Sequence, residues 1–142
     1  MAAGGLQRIV VDVRHNGGGD NTTYVSFLGA LRDAEAAGVR LYAIIGRVTF
    51  SAAGNFVTEL EQTTDAVLVG EDLGTSPNQY GDAVTVRLEH SGLVFRVAPR
   101  HTVKSDPDDP RLTIEPNLPA PIASGDYFGD TDPAMQAILA DS

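Results

Sequence analysis

Three short apolar runs recur along the chain, RIVVDV (8–13), LYAIIG (41–46) and DAVLVG (65–70), and each is followed by turn-forming residues. The stretches between them repeat with helical spacing. Tyr24, Phe27, Leu28 and Leu31 mark one apolar face between Asp20 and Ala37, with Asp20 or Asn21 as the cap and Gly38 as the stop. Phe56, Val57 and Leu60 mark another in SAAGNFVTELEQ. Strand, helix, strand, helix, strand with short links predicts an α/β fold in which parallel strands, the first buried on both faces, carry helices on their faces. With 142 residues, 42% of them hydrophobic, one core and one domain over 1–142 are expected.

The second half follows other rules. VTVRLEH and LVFRVAP alternate about Ser91 and Gly92, which predicts an antiparallel hairpin with a two-residue turn. Residues 105–126 hold SDPDDP, EPNLPAP and SGD and are expected to run extended over the surface. DPAMQAILA then closes the chain as a short helix starting at Asp132 or Pro133.

Charge and composition remove several function classes. A net charge of −9 with a single lysine, Lys104, leaves no basic stripe to displace counterions from a phosphate backbone, so no nucleic-acid partner is expected. No apolar run approaches the ~20 residues a membrane helix needs, and none is expected to engage a membrane. The absence of cysteine excludes thiol catalysis and leaves the compartment open. SDPDDP lacks the alternating ligands and central glycine of a calcium loop, HExxH does not occur, and no metal or cofactor is assigned. Asn21-Thr22-Thr23 has the form of a glycosylation acceptor but begins a helix and carries little weight.

Two segments can carry chemistry. Ser51 follows a strand and a short link and begins a helix, where free N–H groups and the positive end of the helix dipole meet. Its hydroxyl could cap the helix; equally it could be a nucleophile, with the Ala52 amide donating to an oxyanion and Ala53 and Gly54 admitting a substrate backbone. HNGGGD places a row of amides at the carboxyl end of a strand, where open α/β sheets hold ligands, or is a flexible link. Spacing leaves both pairs of alternatives open. His15, His90 and His101 are the only imidazoles, and a surface role accounts for each.

Together these segments resemble the serine peptidase family of the C-terminal processing peptidases and the tricorn protease core. IVVDVRHNGGGD is similar to that family's strand and glycine turn, FSAAGNFVTEL to its nucleophile segment, VLVGEDLG to the following strand and loop, and IEPNLPAP to its late E/V-P-D segment, with Asn117 where an aspartate is common. The resemblance covers about residues 6–139. It implies a crotonase-like stack of β-β-α units, Ser51 as nucleophile, and an oxyanion hole from the amides of Gly17 or Gly18 and of Ala52. It implies peptide or protein substrates and leaves homo-oligomerisation open.

The base departs from the pattern. Processing peptidases use a lysine in a G-K-G turn, whereas GEDLGTSPNQYG stands there, with Thr75 near the lysine position and Lys104 beyond the hairpin. The tricorn branch, which this chain resembles more closely, takes a histidine from upstream of the glycine-turn strand. The expectation is therefore a serine peptidase-like catalytic domain, or the carboxyl half of one, inactive alone until an upstream segment or a partner subunit supplies its base, with neither histidine nor lysine of these residues against Ser51. Glu71, Thr75, Asn78, Gln79 and Asp109 are candidate substrate-binding or orienting groups. A non-catalytic ligand- or peptide-binding module on the same fold is the alternative, and a crotonase-like acyl-ester enzyme ranks last.

Overall fold

The computed structural model describes residues 5–141. Strand β1 (Arg8–Asp12), helix α1 (Val25–Ala36), strand β2 (Arg40–Ile45), helix α2 (Ala52–Thr63) and strand β3 (Val67–Gly70) follow in the expected alternation. Further strands β4 (Gln79–Gly81), β5 (Val84–Arg87), β6 (Val94–Val97), β7 (Arg100–Thr102) and β8 (Leu118–Pro119) precede helices α3 (Ser124–Phe128) and α4 (Pro133–Ala140). One all-parallel sheet has the order β1-β2-β3-β8, and β4–β7 and β5–β6 form two antiparallel pairs.

The side-chain alternation of β2 divides the core in two. Leu41, Ala43 and Ile45 point to one face and meet Leu28 and Leu31 of α1 and Phe56, Val57 and Leu60 of α2. Tyr42 and Ile44 point to the other and meet Ala134 and Ile138 of α4. The result is three layers, helices on both faces of a parallel sheet. Asn117 continues this sheet: its Oδ1 accepts from the Leu68 amide at 2.8 Å, next to the two-residue pairing of β8 with β3.

Four expectations need correction. β1 is not buried on both faces: it pairs with β2 alone among the described residues, so its side chains stay half-buried at an edge. The first helix begins at Val25 because Asp20 is spent on a turn, accepting from the Thr22 amide and hydroxyl at 2.8 Å each; Tyr24 holds the N-cap position with no side-chain cap. The hairpin loop is four residues, not two, since Leu88 pairs with Leu93 and Gly92, at φ 71, closes onto the Leu88 carbonyl. Residues 105–126 are not wholly extended, because α3 begins at Ser124.

α4 begins where expected. Asp132 is its N-cap, accepting from the Met135 amide at 3.0 Å, and it also takes the guanidinium of Arg14 in a bidentate pair at 3.1 and 2.7 Å. That bond to Arg14, followed by the helix amides, holds the Asp132 carboxyl below its ordinary value of 3.8. A depressed folded pKa contributes stability above the unfolded value and loses it as pH falls through the folded one. Asp132→Asn keeps a good cap but removes the charge. It is expected to cost about 1 kcal/mol at pH 7, discounted for the half-exposed pair, and less at pH 3. Urea unfolding at the two pH values checks this.

Candidate active site

The link between β2 and α2 brings Ser51 against the end of β1. The Thr49 hydroxyl, fully buried, donates to the Val13 carbonyl at 2.8 Å and accepts from the Gly46 amide at 3.1 Å. The Phe50 amide then donates to the Asn16 carbonyl at 3.2 Å, which ties the serine link to the glycine turn. Ser51 occupies the N-cap position of α2 with φ 55 and ψ −124, a conformation that residues with a Cβ seldom adopt. Its side chain makes no capping bond, and its hydroxyl bonds to no described residue. The Ser51 hydroxyl therefore does not cap α2.

Strain of this kind costs about 1–3 kcal/mol and collects at functional turns. Ser51→Gly should therefore raise stability by roughly 1 kcal/mol after the extra chain entropy of glycine is subtracted, whereas Ser51→Ala should change it by less than about 0.5 kcal/mol. Denaturant midpoints at unchanged slope measure both.

The glycine turn lies directly on the serine. Gly18 has φ 106, and a Cβ there would stand 2.6 Å from the Ser51 Cβ, 2.8 Å from the Phe50 carbonyl oxygen and 3.0 Å from the Ala52 nitrogen. Both segments therefore meet at the carboxyl edge of the sheet. The Gly18 amide, however, is turned to the Asn16 side chain and donates to its Oδ1 at 3.0 Å. The amides of Gly17, Gly19 and Ala52 make no hydrogen bond among the described residues, so they are the donors free to meet an oxyanion.

Behind Ser51 runs a buried chain of amides. Gln79 Nε2 donates to the Ser51 carbonyl at 3.0 Å and to Asn55 Oδ1 at 2.9 Å, while its Oε1 accepts from the Thr75 hydroxyl at 3.0 Å. Asn55 Nδ2 passes the chain to Asn21 Oδ1 at 2.7 Å. Gly54 leaves the room for this packing, since a Cβ there would lie 2.5 Å from Thr75 Cγ2. Thr75 and Gln79 are thus brought to the serine. Thr75 supplies no basic nitrogen.

Other candidates go elsewhere. Glu71 pairs with Arg47 at 2.9 Å and lines a separate cavity with Arg14 and His15. Asn78 staples the following loop, accepting from the amides of Lys104 and Ser105 at 2.9 Å each. Asp109 accepts from the Ser105 hydroxyl at 2.6 Å and is held well below the carboxylate range, first by the Arg111 guanidinium. His90 is exposed in the hairpin loop, and His101 packs on Tyr80 with ring centroids 4.7 Å apart.

Lys104 is the exception to sequence reasoning. It lines a cavity of about 240 Å³ together with Ser51, Asn21, Asn55, Gln79 and Arg100. Its ammonium is ion-paired with Glu59, whose Oε1 also accepts from the Tyr24 hydroxyl at 3.0 Å. The bond to Glu59 raises the lysine pKa, so the group is a cation and not a base. Asn55 and Glu59 escaped notice in the sequence, although their four- and eight-residue offsets from Ser51 place all three along one face of α2. On the other side of the glycine turn, Val11, Val13, Tyr24, Phe27 and Phe56 line a mostly apolar cavity of about 160 Å³ that reaches Gly18 and Ala52.

No family model and no curated protein matches this sequence. Among solved structures, the photosystem II D1 C-terminal processing protease is similar, with a TM-score of 0.53 and 17% sequence identity over 81% of this chain. The chain spans 35% of that protease's length. At this identity the likeness is one of fold: a mixed α/β domain related in architecture to a processing protease.

Proposed function

We propose that this chain is a serine peptidase-like catalytic domain with a crotonase-like arrangement, in which Ser51 attacks a peptide carbonyl and forms an acyl-enzyme. The observation that carries the reading is the strained Ser51 at the head of α2, uncapped and in van der Waals contact with the glycine turn. In this reading the oxyanion is met by the Ala52 amide and by a glycine-turn amide. Gly17 is the better donor than Gly18, whose N–H is engaged by Asn16. Gln79 acts through the Ser51 carbonyl to hold the turn, backed by Thr75.

A hydroxyl without a base is a poor nucleophile near neutral pH. Lys104 is locked as a cation on Glu59, and no histidine lines the Ser51 cavity. The general base accordingly comes from outside these residues, either an upstream segment as in the tricorn branch or a partner subunit. Hydrolysis of an unfolded protein substrate by the assembled protein, lost in Ser51→Ala, is the expected result; equal cleavage by both would remove the assignment.

A further inference from the structure

We infer that Asn16 is a site of spontaneous covalent modification: the Gly17 nitrogen attacks its side-chain amide, a carboxylate replaces that amide, and the glycine turn is unseated from Ser51. The chain has five asparagines, and only Asn16 is followed by glycine; the others precede Thr22, Phe56, Gln79 and Leu118. A Cβ on the following residue crowds the approach of its nitrogen to the asparagine Cγ, and glycine has none. Asn16 and Gly17 are both exposed, and an added Cβ at Gly17 would meet nothing within 4 Å, so a ring has room to form.

The hydrogen bonds favour the same residue. Asn16 Oδ1 accepts from the Gly18 amide at 3.0 Å, which draws electrons from Cγ, while Asn16 Nδ2 and the Gly17 amide make no bond among the described residues. The electrophile is thus polarised, and the nucleophile and the leaving amine are free. The other asparagines are held: Asn21 and Asn55 bond to each other, Asn55 also receives Gln79, Asn78 carries the Lys104 and Ser105 amides, and Asn117 carries the Leu68 amide.

Hydroxide takes the Gly17 N–H proton, and the nitrogen bonds to Asn16 Cγ as the Cγ–Nδ2 bond breaks. Ammonia leaves with a proton from water, which restores the hydroxide, and a five-membered succinimide remains. Water then adds to one of its two carbonyls. Opening at Cγ gives aspartate; opening at the main-chain carbonyl gives isoaspartate, in which the chain runs through Cγ. In balance, one water is consumed, one ammonia is released, and nothing is oxidised or reduced.

The two products act differently on the turn. Aspartate keeps an oxygen to accept from the Gly18 amide. Isoaspartate lengthens the chain by one carbon before Gly17 and turns the Asn16 carbonyl, which accepts the Phe50 amide at 3.2 Å, into a free carboxylate. There is no slack to absorb that carbon: the Asn16 amide is anchored on the Val13 carbonyl at 3.0 Å, and Gly18 lies so close that its Cβ would stand 2.6 Å from the Ser51 Cβ. The turn is therefore pushed off the serine. On the reading of Ser51 as nucleophile, the protein ages into an inactive form.

The test incubates the folded chain in mildly alkaline and mildly acidic buffer, digests it with pepsin in acid, and reads each asparagine by mass spectrometry. Isoaspartate is counted with isoaspartyl methyltransferase. Conversion is expected at Asn16 ahead of the other asparagines, and faster in the alkaline buffer. Gly17→Ala should slow it about tenfold, the scale on which one steric contact raises a barrier. The isoaspartyl form, separated by ion exchange, should unfold at lower denaturant than Asn16→Asp, which should stay near the native midpoint. No precedence of Asn16, an equal rate in Gly17→Ala, or an isoaspartyl form as stable as Asn16→Asp overturns the inference. None of these readouts uses the Ser51 hydroxyl, so the expected results in a protein that never takes up a fluorophosphonate would retain the modification and remove only the peptidase reading.

Discussion

Alanine at Gly18 is expected to disable Ser51. The added methyl would meet the Ser51 Cβ at 2.6 Å and two backbone atoms at 2.8 and 3.0 Å, and φ 106 is unfavourable for any residue with a Cβ. Neither backbone atom can step aside without moving the α2 start. The combined strain and overpacking should cost roughly 2–4 kcal/mol in stability. Because a misplacement of about 1 Å at a reacting atom costs on the order of 10²-fold, labelling by a fluorophosphonate should fall at least that far in the protein supplied with its base. Gly17→Ala is the matched control: its Cβ would meet nothing within 4 Å, so stability should stay within about 0.5 kcal/mol. Gly18→Ala labelled as fast as the native protein would separate the glycine turn from the chemistry.

Supplying the base is expected to have the largest effect of all. The 142 residues alone should react slowly with the probe, and a base-bearing segment, added in cis from upstream sequence or in trans by a partner, should accelerate labelling by ~10² to 10⁴-fold. Lys104 offers an internal comparison, since the Glu59 carboxylate keeps it protonated. Glu59→Gln should leave the slow reaction of the isolated chain unchanged. A rise on that substitution would transfer the role of base to Lys104, and fast labelling of the unmodified chain would remove the need for an external base.

The alternation of β1, α1, β2, α2 and β3 was legible because each element buries one periodic face, and burial is written into the sequence period. Gly38 marked the end of α1 for a local reason, its φ of 90. Edge position is different: the continuous apolar character of RIVVDV cannot distinguish a central strand from β1, which has one neighbour. The hairpin register also escaped, because Gly92 closes a four-residue loop where the pattern around Ser91 and Gly92 fitted a two-residue turn. At the site, the approach of the glycine turn to Ser51 followed from both segments ending strands of one parallel sheet, while spacing left the role of Ser51 open. The amide chain from Gln79 to Asn55 and on to Asn21 did not, since its links span 24 and 34 residues and polar pairs at such separations leave no periodic trace. The strain at Ser51 is likewise a property of the assembled turn.

Ser51 as the reactive group is tested most directly by locating the adduct. The protein with its base in place should be treated with a fluorophosphonate, digested, and the modified peptide sequenced by mass spectrometry. A single adduct on Ser51, absent from Ser51→Ala and Ser51→Gly although both fold, is the predicted result. No adduct on the folded protein supplied with a base, or an adduct on another serine that persists in Ser51→Ala, would contradict it.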